Sequence, residues 1–346
     1  MASSTSHPRP GIERPKGFGP WLMSVTKRID PFLAALIGAV VLASFLPVRG
    51  QAAEAFDVLV VVAVAWLFFL YGVRLKTSEA IAALKDWRLH SVVLACTYVL
   101  FPLVGLACML IPDAVLPHQL KLGVLFMTLL PSTVQSSIAF VSIARGNVAG
   151  AVVAASFSNL AGVIITPLLV AGLMGAQVGF SASAIGKIAL QLLLPFVLGQ
   201  LVRRWLAAWV IRHRRLTTFT DRGSVVLVVY SAFSRGVVDG IWTKVSVGNV
   251  VTLLILSAIV LAVMLGTSNI VGKKMGFSRA DQAVILMCGS KKSLATGVPM
   301  ATVLFSAATV GMMVLPIMIF HQLQLIVCAV IARRLGARAE PQPVTV

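Results

Sequence analysis

The chain has 346 residues, of which 58% are hydrophobic and 12% charged, and its mean hydropathy is +0.96. Soluble domains carry about 25% charged residues, so this composition excludes an ordinary soluble domain and indicates a membrane protein. The net charge of +18 does not indicate nucleic-acid binding, because the basic residues lie in the gaps between apolar runs rather than on one basic face.

Ten apolar runs are predicted to span the membrane, since a hydrocarbon core of about 30 Å requires about 20 apolar residues per helix. In chain order they are 31–48, 56–75, 91–111, 120–143, 148–174, 185–202, 224–240, 249–271, 282–305 and 309–331. Residues 1–28 and 336–346 are predicted to be cytoplasmic tails, which leaves a ten-helix domain over 29–335. Residues 203–222 are predicted to form an arginine-rich loop.

Lysine and arginine residues concentrate on one side of this layout. Of the 29, 22 fall on the side of the two termini and five on the other, and Lys291 and Lys292 stand apart as candidates for an intramembrane position. Cytoplasmic loops carry such an excess. Both termini are therefore predicted to be cytoplasmic, in a plasma membrane of the bacterial inner-membrane type, which requires an even number of spans.

Ten spans divide into two halves of five, about residues 30–175 and 183–333. Because five is odd, the halves would insert with opposite orientations, as in an inverted repeat. Polar residues interrupt the fourth span after Pro131 and the ninth after Gly289. The predicted fold class is an all-α polytopic membrane protein of two inverted five-helix repeats with interrupted fourth and ninth helices.

The first interruption is rich in hydroxyl and amide side chains, those of Ser132, Thr133, Gln135, Ser136 and Ser137. Non-helical backbone at membrane depth is tolerated only against protein or a wet cavity. Ser and Thr also serve as ordinary contacts between membrane helices, but five polar residues in six positions after a proline favour a substrate path.

The second interruption consists of Ser290, Lys291, Lys292 and Ser293. An ammonium near the bilayer centre is rare and usually faces an interior cavity, and ten residues separate Asp281 from Lys291, about 15 Å of helix. In an alternative layout, 294–331 forms two short spans and both lysines lie in a cytoplasmic loop. That layout leaves the apolar run 283–288 in the interface, which counts against it.

A third polar group lies in the fifth span, with Asn147 at its start and Ser156 and Asn159 inside it. Asn147 follows a glycine and suits a helix N-cap, while Asn159 is predicted to face inward. The apolar segments contain no cluster of His, Asp or Glu for hydrolysis or metal catalysis, which argues against an enzyme. No phosphate-binding glycine loop is present, so any pumping must use a gradient.

The motifs at both interruptions resemble the bile acid:sodium symporter superfamily over roughly residues 25–335. The similarity lies in 130–140, 145–150, 158–160 and 166–167, and 289–295 with 297–299 is similar to the SBF-like branch. The resemblance implies a ten-helix, two-domain fold in which the fourth and ninth helices cross near the midplane, with the lysines inside the membrane.

Several positions depart from the pattern of the sodium-coupled members. Where the resemblance implies a glutamate in the ninth helix, this chain has Met287, and where it implies a Gln-Asn pair, this chain has Lys291-Lys292. The positions that would supply hydroxyl ligands in the fifth helix are Ala151 and Ala155, and the position of a glutamine in the third helix is Thr97. Sodium requires several oxygen ligands with some negative charge. Two ammonium groups would repel that ion, take its electrostatic place, or attract an anion.

The sequence therefore predicts a secondary active transporter that moves a small organic anion by alternating access, with no cofactor, sodium coupling left open, and the bilayer rather than nucleic acid as its partner. One alternative is a sodium-coupled symporter with Ser136, Ser137, Asn147 and Asn159 as ligands. Another is a non-transporting regulatory protein that uses 203–222 as a contact surface. The sequence leaves the substrate and the oligomeric state open.

Overall fold

The computed structural model describes residues 31–74, 86–178, 182–238, 240 and 245–338. The predicted N-terminal tail 1–28 lies outside the described residues, as does most of the C-terminal tail 336–346. Every regular element in the described ranges is a helix. The elements are α1 Pro31–Phe45, α2 Gln51–Arg74, α3 Trp87–Cys108, α4 His118–Leu129, α5 Gln135–Ile143, α6 Val148–Val178, α7 Ala182–Leu201, α8 Arg203–Arg212, α9 Arg214–Val238, α10 Val247–Lys274, α11 Arg279–Gly289, α12 Leu294–Leu304 and α13 Ala307–Ala337.

Five helices in the described part of the chain are long and apolar enough to cross a bilayer. They are Gln51–Arg74, Trp87–Cys108, Val148–Gly175, Val247–Lys274 and Ala308–Ala337. α10 exposes Leu254, Ile255 and Ile259, apolar side chains of the kind that lipid tails cover. The chain is therefore an all-helical polytopic membrane protein, and the count of ten spans stays a prediction.

Both predicted interruptions divide a span into two short helices. α4 and α5 are separated by residues 130–134, and α11 and α12 by residues 290–293. α13 continues as one helix from Ala307 to Ala337, and α12 has 11 residues, about 16 Å. The alternative layout, with two short spans in 294–331, is therefore wrong, and both lysines are buried rather than in an exposed loop.

The prediction of a loop over 203–222 is also wrong, because α8 and the first turns of α9 occupy it. α8 is amphipathic: Val210 packs on Leu70 and Val73 of α2, while Trp205 is exposed. The helix axis turns by 91° between Leu192–Leu201 and α8. Arginine density suggested a loop, whereas the apolar face between the arginines stabilises a helix against α2.

α3 contains a π-helical turn, Cys96–Leu100, followed by Pro102. In this turn the N–H of Phe101 donates to the carbonyl of Cys96, five residues back. The next donor in that register would be the N–H of residue 102, but proline has none. The carbonyl of Thr97 is consequently left without a backbone partner in the middle of the protein.

α2 and α7 approach each other so closely that their backbones are in contact, at one glycine in each helix. A Cβ atom on Gly72 would lie 2.1 Å from the carbonyl oxygen of Phe196, and one on Gly199 would lie 2.2 Å from that of Phe69. Glycines allow such close approach between membrane helices. The pair fixes the distance between the two helices.

We expect Gly199→Ala to lower stability by about 1–3 kcal/mol or more, because the added methyl must push apart two backbones. Melting temperature in detergent measures the loss. Gly175→Ala is the matched control, since nothing lies within 4 Å of its Cβ position, and alanine there should be neutral or stabilising. Equal melting temperatures for the two variants would contradict the close contact.

Candidate functional site

The two interruptions contact each other and are joined by hydrogen bonds to backbone carbonyls. The N–H of Ser293 donates to the carbonyl of Pro131 at 2.9 Å. From the other side, Ser132 Oγ donates to the carbonyl of Cys288 at 2.6 Å. Ser137 Oγ donates to that of Met287 at 3.1 Å. Backbone groups freed by one break are thus satisfied by the other, as burial in an apolar interior requires.

Lys292 is 1% exposed, and its ammonium is hydrogen-bonded. Its Nζ donates to the carbonyl of Leu130 at 2.7 Å and to that of Thr97 at 2.8 Å, the carbonyl freed by the π-helical turn. The ammonium also lies 4.1 Å above the ring of Phe101, a cation–π geometry. The ammonium therefore links the first break to α3.

Gln324 of α13 holds the backbone of the same residue from the opposite side. Its Oε1 accepts from the N–H of Lys292, and its Nε2 donates to the carbonyl of Lys292, both at 2.8 Å. The same Nε2 lies 2.8 Å from Nδ1 of His321. Both polar groups of the Lys292 peptide backbone are therefore satisfied by one amide side chain.

Lys291 is also completely buried, but its Nζ makes no hydrogen bond within the described part of the protein. It lies 4.4 Å from the centre of the Phe140 ring. The two adjacent lysines thus differ: Lys292 is bonded to protein oxygens, whereas Lys291 is not.

Asn159 connects the two interruptions, in agreement with its predicted inward position. Its Nδ2 donates to the carbonyl of Ser132 at 2.7 Å, and its Oδ1 accepts from Thr296 Oγ1 of α12 at 2.8 Å. Ser293 caps α12, because its Oγ accepts from the N–H of Thr296. The donor and the acceptor of one amide therefore join the first break to the first turn of α12.

Thr133, Ser136 and Ser290 form only local contacts. Thr133, Ser136 and Ser137 form a chain of hydroxyl groups, with Ser136 donating to Thr133 at 2.8 Å. Ser290 Oγ donates to the carbonyl of Leu286 in its own helix. These bonds satisfy the hydroxyls, and Ser137 alone among this group reaches across to α11.

The structure does not bring every predicted residue to the breaks. Asn147 caps α6, accepting from the N–H of Gly150, and donates to Asp281 near the start of α11 at 2.9 Å. Gln135 is exposed, and Ser156 is half-buried with no hydrogen bond among the described residues. Polarity marked the segments in which the two helices are interrupted, but not the direction of each side chain.

Sequence reasoning missed Thr296, Gln324 and the backbone carbonyl of Thr97 as parts of the site. The signal for Gln324 was available, because an amide inside an apolar span is costly unless it faces a partner. Pro102 likewise marks a carbonyl that lacks a donor.

The part of the chain that the structure describes contains no group of three or more His, Cys, Asp or Glu that could hold a metal ion. Two carbonyl oxygens, that of Thr97 in α3 and that of Leu130 at the first break, both accept from the Lys292 ammonium. The site therefore contains two neighbouring cations: the Lys292 ammonium, which donates to carbonyl oxygens, and the Lys291 ammonium, which has no hydrogen-bond acceptor among the described residues.

Comparison with known proteins gives a family and several relatives. The sequence profile of the SBF-like CPA transporter family matches residues 30–337. An uncharacterized protein of Pseudomonas aeruginosa is 50% identical over 313 residues, 90% of this chain and 94% of the relative. A protein of Escherichia coli named as a symporter, YfeH, is 46% identical over 319 residues, 92% and 96% of the two chains. Sodium/bile acid cotransporter 7 of Rattus norvegicus is 26% identical over 307 residues, 86% and 89% of the two chains.

Proposed function

This chain belongs to the SBF-like CPA transporter family, and we propose that it moves a small organic anion across the membrane as a secondary active transporter. It is a membrane transporter and not an enzyme. The proposal extends to a ten-helix domain over 29–335, built of inverted repeats of about 30–175 and 183–333 with cytoplasmic termini. Two interrupted helices that contact each other, one in each half, support the inverted repeat and alternating access between the halves.

The unbonded ammonium of Lys291 carries the proposal that the substrate is an anion. The site contains two lysines and, among its described residues, no carboxylate. α5 and α12 both begin at the breaks, so that their positive N-terminal ends add to the same potential. A buried cation without an acceptor is costly. An anionic substrate would supply the acceptor that Lys291 lacks.

Lys292 fits the role of a fixed cation that occupies the place of sodium in the site. Its ammonium receives two carbonyl oxygens at 2.7 and 2.8 Å, the type of ligand that sodium prefers. Of the alternative sodium ligands, Asn159 bonds Ser132 and Thr296, and Asn147 bonds Asp281. The name of the rat relative, a sodium/bile acid cotransporter, is the observation that favours sodium coupling instead.

We expect transport to be independent of sodium. Purified protein in proteoliposomes would be screened with small carboxylates and with taurocholate, and uptake compared between equal gradients of sodium and choline. The expected rates agree within about twofold. Melting temperatures in sodium and potassium chloride should also coincide, because a site filled by an ammonium gains nothing from sodium binding.

Two results would contradict sodium independence: uptake that requires sodium, or stabilisation by sodium but not by potassium. Either would favour the sodium-coupled alternative. The melting experiment needs no known substrate, so it decides the coupling question even if every anion in the screen is inactive. Current recordings on the same proteoliposomes would identify the anions that move net charge, and the uptake screen would identify those that are carried electroneutrally, which separates the substrate question from the coupling question.

A further inference from the structure

A cavity of about 1220 Å³ lies away from the two breaks, between α1 and the segment where α8 meets α9. Part of its wall is apolar, with Phe32 from α1 and Leu216, Phe219 and Val226 from α9. The rest is cationic and is formed by Arg212, Arg215 and Arg222. No carboxylate is among the described residues that line it.

The surroundings of the cavity are typical of a membrane–water interface. α8 turns 91° away from the preceding helix and presents Trp205 and Trp209 on its exposed face, at 62% and 44% exposure. Phe219, at the cavity wall, is 75% exposed. Tryptophan is enriched at membrane–water interfaces, and arginine in the cytoplasmic segments beside them. This composition indicates that the cavity lies at the level where a lipid headgroup meets its acyl chains.

We propose that this cavity binds an anionic phospholipid. Arg212 and Arg215 would hold the phosphate, since guanidinium groups bind phosphate through two parallel hydrogen bonds. In the described residues neither has a carboxylate partner, whereas nearby Arg74 pairs with Asp221 at 2.8 Å. The acyl chains would lie against Leu216 and Phe219.

The size of the cavity and the charge of its wall favour a lipid over a free phosphate and over the chain's own N-terminal segment. Pockets for drug-sized ligands have volumes of about 300–1,000 Å³, so this cavity is too large for a free phosphate alone. The chain's own residues 1–30 precede Phe32, but they carry five Lys and Arg against two acids. A segment of the same charge as the arginines is a poor partner for them, and an anionic lipid is complementary.

The test uses full-length purified protein and titrates phosphatidylglycerol and phosphatidylcholine separately, with bound lipid counted by native mass spectrometry. We expect phosphatidylglycerol to bind more tightly. Arg212→Gln/Arg215→Gln should weaken its binding about 30-fold, because each basic residue near an anionic lipid contributes about fivefold. Arg333→Gln/Arg334→Gln removes the same charge from exposed positions of α13, and it should leave binding within about twofold.

Four outcomes would overturn the proposal. The first two are equal binding of the two lipids and equal loss in the two double variants. Displacement of phosphatidylglycerol by millimolar inorganic phosphate would mean a site for free anions. Tighter lipid binding after deletion of residues 1–28 would mean that this segment occupies the cavity. Melting temperatures of each variant, measured without added lipid, confirm that changes in binding do not come from unfolding.

Discussion

Lys292→Met is expected to lower the stability of the protein by about 2–5 kcal/mol, the largest loss of any single lysine replacement in this chain. The substitution removes two charge-assisted hydrogen bonds and leaves the carbonyls of Thr97 and Leu130 buried without a donor. Each such bond contributes about 1.5–3 kcal/mol, and the substitution also removes the cost of burying an ammonium, which offsets part of their sum. The melting temperature of the purified protein measures the loss.

Lys291→Met is the matched control, because it removes the neighbouring lysine without leaving any known acceptor unpaired. We expect this variant to be as stable as the wild type or more so, since an unbonded buried ammonium destabilises the fold. Similar losses in both variants would contradict the different roles of the two lysines.

A second variant tests whether Pro102 is the reason that the carbonyl of Thr97 lacks a backbone donor. Pro102→Ala restores an N–H five residues after Thr97, in the register of the π-helical turn. If the missing donor is the reason that Lys292 is needed, Lys292→Met should cost less in the Pro102→Ala background than in the wild type. A full, undiminished loss in the double variant would contradict this explanation.

The two interruptions could be predicted because their signals are local in the sequence. Pro131 removes a backbone donor, and two lysines about 15 Å of helix away from Asp281 cannot easily reach water. These features require no knowledge of other helices. For the same reason the fully buried positions of Lys291 and Lys292 agreed with the prediction.

The partners of those residues could not be predicted, because they come from distant helices. Gln324 reaches the backbone of Lys292 from α13, and the carbonyl of Thr97 in α3 accepts from its side-chain ammonium. Which way a polar side chain points depends on the rotation of its helix, and charge density alone cannot fix that. Gln135, which its polarity placed on the path, is exposed at the first residue of α5, an orientation that the sequence alone does not predict. The amphipathic helix α8 was missed because arginines hid its apolar face.

Lys291→Met is also expected to reduce anion uptake by about 10–100-fold, although the fold remains intact. The reason is that the substrate would lose a charge-assisted hydrogen bond in a site shielded from water, and such a bond contributes about 1.5–3 kcal/mol. Uptake kinetics into proteoliposomes measure the effect, with the anion that gives the largest wild-type current. Lys291→Arg keeps the charge and should retain part of the activity, with an altered preference among anions.

Lys121→Met provides a control for the loss of a buried lysine elsewhere. Lys121 pairs with Asp113 at 2.6 Å and donates to the carbonyl of Ile111 in the segment before α4. It should therefore change stability more than substrate affinity.

If Lys291→Met transports with the wild-type KM and rate, Lys291 does not contact the substrate, and the anion must be bound elsewhere. If Lys121→Met and Lys291→Met lose uptake equally, general destabilisation explains both. Only a loss specific to Lys291 in a stable protein agrees with an anion that pairs with the unbonded ammonium.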